Sequence, residues 1–290
     1  MVGDFLISIV NFIALAPIAC IAIAALIPLL KLFIENRVVF NVMLLFTAWL
    51  LLGASIVSLY ISLHRELVTY CFGGWPPPLG ICYAIDRFSA FVSLIFSIVF
   101  LITALYSTWY SRHMDNYIYF YTVMIIHACG LIGLALTADL FNIYVMLEVI
   151  GLSAYAMIAS YRRRTKALVA SVRYALLGAF YTTLFFFAII LLYISIGTLS
   201  MGTIAASLHF VKTSELKELT SLYRIEGILF FVAISIWVSL FLSAIFPNHY
   251  WLPDAHAEAP TPASALLSGA TVLSGFYIIT RILYITGAAQ

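Results

Sequence analysis

Long apolar runs dominate this 290-residue chain and limit the folds open to it. A helix that crosses a bilayer needs about 20 apolar residues at a rise of about 1.5 Å each. Eight segments bounded by charged residues meet this requirement: Phe5–Leu30, Val38–Leu63, Phe88–Tyr110, Tyr117–Thr137, Leu140–Tyr161, Ala167–Ile196, Ile228–Phe246 and Pro262–Ile285. Because these runs do not alternate polar and apolar residues, they do not fit a transmembrane β-barrel. We predict an all-α, polytopic membrane protein with about eight transmembrane helices.

The composition excludes an ordinary soluble domain. Hydrophobic residues make up 64% of the chain and charged residues 9%, so water-facing groups are too few to cover a domain of this length. The lipid bilayer is therefore the expected surrounding. The net charge of +2 indicates no nucleic-acid partner. The first apolar run is too long for a signal peptide, and we interpret it as the first span.

Loop charges predict the orientation. Basic residues concentrate in the loops after the first, third and fifth runs: Lys31, Arg37, Arg112, Arg162, Arg163, Arg164 and Lys166. The opposite side carries Arg65, Arg87, Lys212, Lys217 and Arg224, mostly in longer loops. Since cytoplasmic loops are enriched in Lys and Arg, we expect the first set to be cytoplasmic. The chain is then a multi-pass protein of the cell membrane with both termini external.

Two connections between spans are long. Tyr70–Phe88 alternates aromatic and turn residues, which is typical of an external hairpin. Cys71 and Cys82 flank this hairpin, either as a disulfide or as two free thiols. Thr198–Glu226 mixes polar and apolar residues at helical spacing, which favours an amphipathic helix on the outer surface.

Glu148 lies near the middle of the run Leu140–Tyr161. A carboxylate at such depth costs about 2.5–3.5 kcal/mol even on the most lenient insertion scale. It is therefore expected to bind a proton or cation, or to pair with a basic residue; the alternative is a protonated, lipid-facing or merely hydrogen-bonded side chain. Arg173, in the next run, is the candidate partner, unless its side chain extends to the lipid headgroups instead.

The stretch from Phe246 to Gly269 contains four prolines and four ionisable side chains. Pro247 and Pro253 prevent a regular helix, and broken helices at membrane depth occur where the backbone lines a cavity or an ion path. The ionisable residues here are His249, Asp254, His256 and Glu258. His249 and His256 are candidate residues of the ion path. Metal binding is the alternative, but the spacing is not specific and we predict no metal site.

Other candidate groups are few. His127, in the fourth run, is either a proton relay or a hydrogen-bonded packing residue. The sequence has no glycine-rich phosphate loop, no nucleophile–base pattern and no haem or iron–sulfur spacing. We therefore predict no cofactor and no active site belonging to the chain itself.

Three stretches together carry a family resemblance: DLFNIYVMLEV, GGWPPPLGI and HYWLPDAHAEAPTPASALLSG. They resemble the antiporter-like membrane subunits shared by Mrp-type cation/proton antiporters, membrane-bound hydrogenases, sulfur-reducing complexes and respiratory complex I. The resemblance implies two inverted five-helix repeats, each with one broken helix. Here residues 117–290, including a surface segment at 198–226, would form the first repeat, broken near Pro247. Residues 1–116 would supply three further helices and an external hairpin at 64–87.

The resemblance implies partners as well as a fold. It predicts other membrane subunits of a multi-subunit complex, among them further antiporter-like subunits. The second repeat is missing from this sequence, so the chain is expected to be either a half-length subunit or part of a longer one.

The resemblance also implies a chain of charged residues across the fold. Glu148 fills the position of a glutamate, and Arg173 that of a basic residue in the sixth helix. Counting back nine residues from Trp251 reaches Leu242, where relatives carry a lysine, and Leu273 stands at the position of a second lysine. Arg281 matches the family pattern. Loss of the lysines removes groups that tune the glutamate and pass on a proton.

These observations lead to a main hypothesis and two alternatives. The main one is a subunit of an ion-translocating complex, moving H⁺ or Na⁺, whose own proton path is incomplete. The second is a non-conducting structural subunit that joins its neighbours. A third, an intramembrane enzyme, would use His249, Asp254 and His256.

Overall fold

The computed structural model describes residues 2–65, 67–161, 164–213 and 221–287. Helices dominate these ranges: α1 Val2–Leu30, α2 Arg37–His64, α3 Arg87–Tyr110, α4 Tyr117–Leu136, α5 Leu140–Ile158, α6 Thr165–Ile196, α7 Met201–Thr213, α8 Ser221–Leu242, α9 Trp251–Glu258, α10 Thr261–Leu266 and α11 Val272–Thr286. Two short strands, β1 Val68–Cys71 and β2 Cys82–Ile85, lie between α2 and α3. The predicted all-α, polytopic membrane fold is confirmed.

Seven helical stretches within the described ranges are long and apolar enough to cross a membrane. They are α1 to α6 and the stretch Thr261–Thr286, which joins α10 to α11. The predicted span at Ile228–Phe246 corresponds to α8, which starts earlier, at Ser221, and ends at Leu242. The part of α8 whose side chains the structure describes, Glu226–Leu242, is apolar but shorter than the seven stretches above. The chain breaks there, as the prolines predicted.

The last predicted span, Pro262–Ile285, is not a uniform α-helix. A π-helical turn at Leu267–Thr271 separates α10 from α11. Such turns insert an extra residue into a helix and are frequent at functional sites. Proline and charge patterns carry no signal for this turn, so the sequence did not predict it.

The central helix of the bundle is α4, the most buried of the spans. It packs against α1, α3 and α5. Its small and apolar side chains allow this close packing; a Cβ on Gly130, for example, would lie 3.0 Å from the Ile150 side chain of α5. The remaining helices surround this centre, with α6 and α11 both packed on α8.

The predicted hairpin forms a two-stranded antiparallel sheet in which Cys71 lies opposite Cys82. The two residues are joined by a disulfide bond. The hairpin also contacts the connection between α4 and α5, where the Ala138 amide donates to the Cys82 carbonyl oxygen at 2.9 Å. The Leu140 amide in turn donates to the Leu199 carbonyl oxygen at 3.0 Å. The hairpin, the α4–α5 connection and the α6–α7 connection, which contains Leu199, therefore lie on one face of the bundle.

The segment predicted to be amphipathic, 198–226, is helical from Met201 to Thr213. Residues 214–220 and the side chain of Val211 lie outside the described part of the chain. Ile204 is completely buried, and α7 packs against α11. The apolar face of this helix is therefore directed towards the bundle.

Candidate functional site

Glu148 lies in the middle of α5. Asp139 caps the start of this helix by accepting a hydrogen bond from the Asn142 amide at 2.9 Å. The Glu148 side chain is half-buried, and it interacts with the hydroxyl groups of Tyr144 and Tyr155. Among the described residues, no basic nitrogen lies within 4.0 Å of its carboxylate. Two tyrosine hydroxyl groups therefore lie near the predicted carboxylate, and no cation of the described residues pairs with it.

Tyr155 is held in place by glycines on two helices. A Cβ built on Gly178 of α6 would overlap the Tyr155 hydroxyl oxygen, and one on Gly151 would lie 2.9 Å from it. The ring also packs edge-on against Tyr174, with centroids 4.7 Å apart. The glycines leave the space that the hydroxyl occupies, which fixes the aromatic ring beside the glutamate.

Arg173 does not pair with Glu148, which corrects the predicted pairing. Its guanidinium donates to the Asp254 Oδ2 at 3.0 Å. Both side chains are largely exposed, at 67% and 52% of their surface. The physical reason is that α6 packs against α9, so the Arg173 side chain meets the first acidic residue of α9.

The helical structure is interrupted between α8 and α9. Ala244 has a φ of 49°, a left-handed conformation that ends a helix, and the Phe246–Pro247 peptide bond is cis. The next helix starts at Trp251 and carries Pro253 in its first turn, where a proline costs no hydrogen bond. The predicted broken helix is therefore present, with its break around Pro247.

Aromatic rings fill this break. Trp251 stacks on Tyr174 with centroids 4.2 Å apart, and its Nε1 donates to the Phe241 carbonyl oxygen at 2.8 Å. The same carbonyl oxygen, near the end of α8, also accepts from the Ala244 amide at 3.0 Å, so it binds two donors at the break. Phe241 stacks on Tyr181 at 4.0 Å. Leu242, beside this cluster, is only 7% exposed. Leu273 is half-buried against the core.

The ionisable residues of α9 and its approach do not converge. His249 is exposed and lies beside the Phe246 ring. His256 hydrogen-bonds through Nδ1 to the Ser264 hydroxyl at 2.5 Å, and Asp254 pairs with Arg173. Within the described ranges, no group of three or more His, Cys, Asp or Glu side chains could hold a metal ion.

His127 is completely buried in α4 and connects three helical segments. Its Nε2 lies 2.8 Å from the Thr271 hydroxyl in the π-helical turn, and its Nδ1 lies 2.8 Å from the Ser153 hydroxyl of α5. The Ser153 hydroxyl donates to the Val149 carbonyl oxygen at 2.6 Å, so its oxygen is left to accept from Nδ1–H. Nδ1–H is then the donor to Ser153, and Nε2 forms its hydrogen bond with the Thr271 hydroxyl. His127 therefore packs inside the bundle and also links the polar side chains of α5 and the π-helical turn.

One polar pair was missed by sequence reasoning. Arg281 of α11 donates to both carboxylate oxygens of Asp86, at 2.5 and 2.8 Å, and through Nε to the Tyr277 hydroxyl at 2.8 Å. Asp86 also caps α3 by accepting from the Ser89 amide at 2.7 Å. The family pattern singled out Arg281, but no local spacing links it to a residue 195 positions away.

The break, the π-helical turn and Arg281 all fall within one stretch that matches a known family. Residues 137–289 match the NADH:quinone oxidoreductase/Mrp antiporter transmembrane family. The NADH-quinone oxidoreductase subunit N of Desulforudis audaxviator is 32% identical over 242 residues, which cover 82% of this chain and 46% of that protein. The chain belongs to this family.

Further members and structures agree with this family. A Na(+)/H(+) antiporter protein of Bacillus subtilis is 29% identical over 75% of this chain and 42% of its own length. A chain of the membrane-bound sulfane sulfur reductase, an archaeal respiratory membrane complex, superposes with a TM-score of 0.81 at 25% identity, over 94% of this chain and 53% of that one. A chain of the Mrp complex from Dietzia sp. shares the fold, with a TM-score of 0.80 at 20% identity, over 96% of this chain and 49% of that one. The chain thus spans about half the length of these relatives.

Proposed function

We propose that the chain is a membrane subunit of an ion-translocating, redox-driven complex that moves H⁺ or Na⁺. The main support for this proposal is the fold. It superposes on a chain of a respiratory membrane complex over 94% of its residues. The similarity to a NADH-quinone oxidoreductase protein and to a Na(+)/H(+) antiporter protein supports the same class of function.

The path for protons through this chain is incomplete in our proposal. By the family resemblance, Leu242 and Leu273 stand where relatives carry basic side chains, and Leu242, which follows Phe241 in the chain, is only 7% exposed. A charge at mid-membrane without a solvating partner is costly, so an apolar side chain there raises the barrier to its passage. Translocation by the complex would then take place in neighbouring subunits.

The surroundings of Glu148 support a contact between α5 and a neighbouring subunit. The Glu148 side chain is half-buried, and it has no basic partner within the described ranges. Leu152, one turn further along the same side, is 64% exposed. An intramembrane carboxylate usually faces protein or water rather than lipid. We therefore propose that another membrane subunit covers this surface of α5.

The proposed orientation rests on the loop charges. The disulfide-bonded hairpin shares one face with the α4–α5 connection, whereas the basic residues around Arg164 lie at the other end of α5 and α6. Disulfides persist in oxidising compartments, and positive loops are cytoplasmic. Both termini and the hairpin are external in this proposal. An impermeant thiol reagent added outside should label Pro77→Cys and not Thr165→Cys, and the opposite pattern would reverse the orientation.

A non-conducting structural subunit is the second candidate. Its specific support is the Arg173–Asp254 pair, which directs the expected counter-charge of Glu148 away to the surface. Such a subunit needs packing surfaces and no polar path. It shares the fold and the complex with the first candidate and differs only in whether it handles ions.

Purification of the tagged chain in mild detergent tests the proposal. We expect further antiporter-like and redox subunits to co-purify, and we expect vesicles containing the complex to build up an ion gradient when its reaction runs. If the chain purifies alone, in a stable form and without transport, the proposal is wrong. A complete complex without any transport would favour the structural candidate.

A further inference from the structure

Three buried serines follow one side of α8 towards the break. Ser235, Ser239 and Ser243 are spaced four residues apart, which places them on the same side of the helix. They face α11 at Gly275: a Cβ built there would overlap the Ser243 Oγ and lie 2.6 Å from the Ser239 carbonyl oxygen. The two helices therefore touch along a polar rather than an apolar contact.

A second set of polar contacts lies next to this one and joins α11, α4 and α5. Ser274, the neighbour of Gly275, donates to the Thr271 carbonyl oxygen at 2.6 Å. The Thr271 hydroxyl meets His127, and His127 meets Ser153, each at 2.8 Å. We call the whole set the hydroxyl track: Ser153, His127, Thr271, Ser274, Ser243, Ser239 and Ser235. Each member is at most 5% exposed.

Two hydroxyl groups of the track are unsatisfied within the described chain. Ser239 donates to the carbonyl oxygen of Ser235, four residues earlier, at 2.7 Å. The Ser235 and Ser243 hydroxyl oxygens have no such partner, although both are buried. A buried hydroxyl without a hydrogen bond destabilises a fold, and buried water is the usual partner of such groups.

Two members of the hydroxyl track are sequence neighbours of Leu242 and Leu273. Ser243 directly follows Leu242 and Ser274 directly follows Leu273. Hydroxyl groups therefore lie next to the two places where the family resemblance implies basic side chains. His127 is the only titratable member of the track, and it contacts the π-helical turn two residues before Leu273.

We propose that the hydroxyl track binds water inside the membrane domain and forms a neutral polar connection between α5 and the break after α8. Ser235 and Ser243 would each hydrogen-bond a water molecule that also reaches a neighbouring backbone carbonyl oxygen or hydroxyl group. The role of the track as a replacement for the two basic side chains rests on the proposed function, whereas its hydration does not.

Thiol reactivity tests the hydration directly, because a small charged methanethiosulfonate reagent needs water to reach a thiol. In the assembled complex, with the buried Cys20 and Cys129 replaced by alanine, we would compare Ser243→Cys with Ala270→Cys, a completely buried control in the π-helical turn. We expect Ser243→Cys to react on the order of tenfold faster than Ala270→Cys. Equal rates would overturn the proposal.

A second measurement, of thermal stability, tests the proposal if the cysteine variant does not assemble. Replacing an unpartnered hydroxyl group by hydrogen, as Ser→Ala does, should raise the Tm of a dry site, because an unsatisfied polar group is removed. At a hydrated site the same change removes hydrogen bonds, so we expect Ser235→Ala and Ser243→Ala each to lower the Tm of the complex. An unchanged or raised Tm in both variants would overturn the proposal. Neither readout depends on ion transport, so failure here is distinct from failure of the proposed function.

Discussion

Arg281 binds Asp86 through two parallel hydrogen bonds, and the pair joins the last described helix to the start of α3. The side chains are mostly buried, at 13% and 26% exposure. Burial alone would raise the pKa of Asp86, but the hydrogen bonds and charge of Arg281, with the hydrogen bonds of Ser89, bring that pKa below its usual value. The ion pair therefore holds the hairpin side of the bundle together.

Asp86→Ala should destabilise the protein far more than Asp254→Ala. The first change leaves a mostly buried guanidinium without its carboxylate, a loss of about 3 kcal/mol. The second removes the same chemistry from an exposed Arg–Asp pair, which contributes about 0–1 kcal/mol. The midpoint of thermal unfolding of the purified complex measures both. Equal shifts of Tm would mean that the Asp86–Arg281 pair contributes no more than a surface contact.

The same pair predicts a pH dependence. The pKa of Asp86 is lower in the folded than in the unfolded protein, so its stabilisation is fully present above the unfolded value of about 3.9. It is lost as the pH falls through the lowered, folded value. The difference in Tm between wild type and Asp86→Asn should therefore shrink from about pH 5 to about pH 3. A constant difference over this range would contradict the lowered pKa.

The disulfide of the hairpin predicts a simple mass measurement. Cys71 and Cys82 face each other across the two strands, with Cα atoms 4.0 Å apart. Protein that is alkylated without reduction should give one cross-linked peptide pair from these positions, while the buried Cys20 and Cys129 serve as the free-thiol control. Alkylation of both hairpin cysteines would show that the bond does not form.

Gly275→Ala should disrupt the contact between α8 and α11. The added methyl group would meet the Ser239 carbonyl oxygen at 2.6 Å, and a backbone atom cannot move aside as a flexible side chain does. We expect a loss of about 1–3 kcal/mol. Gly202→Ala is the matched control, because a Cβ there meets no atom within 4 Å and alanine favours a helix. A Tm as high for Gly275→Ala as for Gly202→Ala would show that the contact is not tight.

Hydrophobic length and proline position predicted most of this fold. The spans, the break around Pro247 and the hairpin all depend on local patterns, since a run of apolar residues or a proline acts within a few residues. Boundaries were less accurate. For α8 the charged residues before Ile228 suggested a helix start there, yet the helix begins at Ser221.

Partners across the fold could not be predicted in the same way. Its place in the next apolar run suggested Arg173 as the partner of Glu148, but Arg173 pairs with Asp254 instead. The Asp86–Arg281 pair and the contacts of His127 join segments far apart in sequence. Such contacts depend on how helices pack, and neither spacing nor composition records this.

Glu148 should be dispensable for transport if the chain belongs to an ion-translocating complex while its own proton path is interrupted. The decisive measurement is ion transport into sealed vesicles, driven by the reaction of the complex, in wild type and Glu148→Gln. Asp254→Asn, at the surface, is the matched control. Because no basic side chain of the described residues lies within 4.0 Å of Glu148 and the apolar side chain of Leu242 is buried, we predict that transport stays largely intact. Transport that falls to the level of uncoupled vesicles in Glu148→Gln alone, with assembly unchanged, would place Glu148 on the path and contradict the interruption.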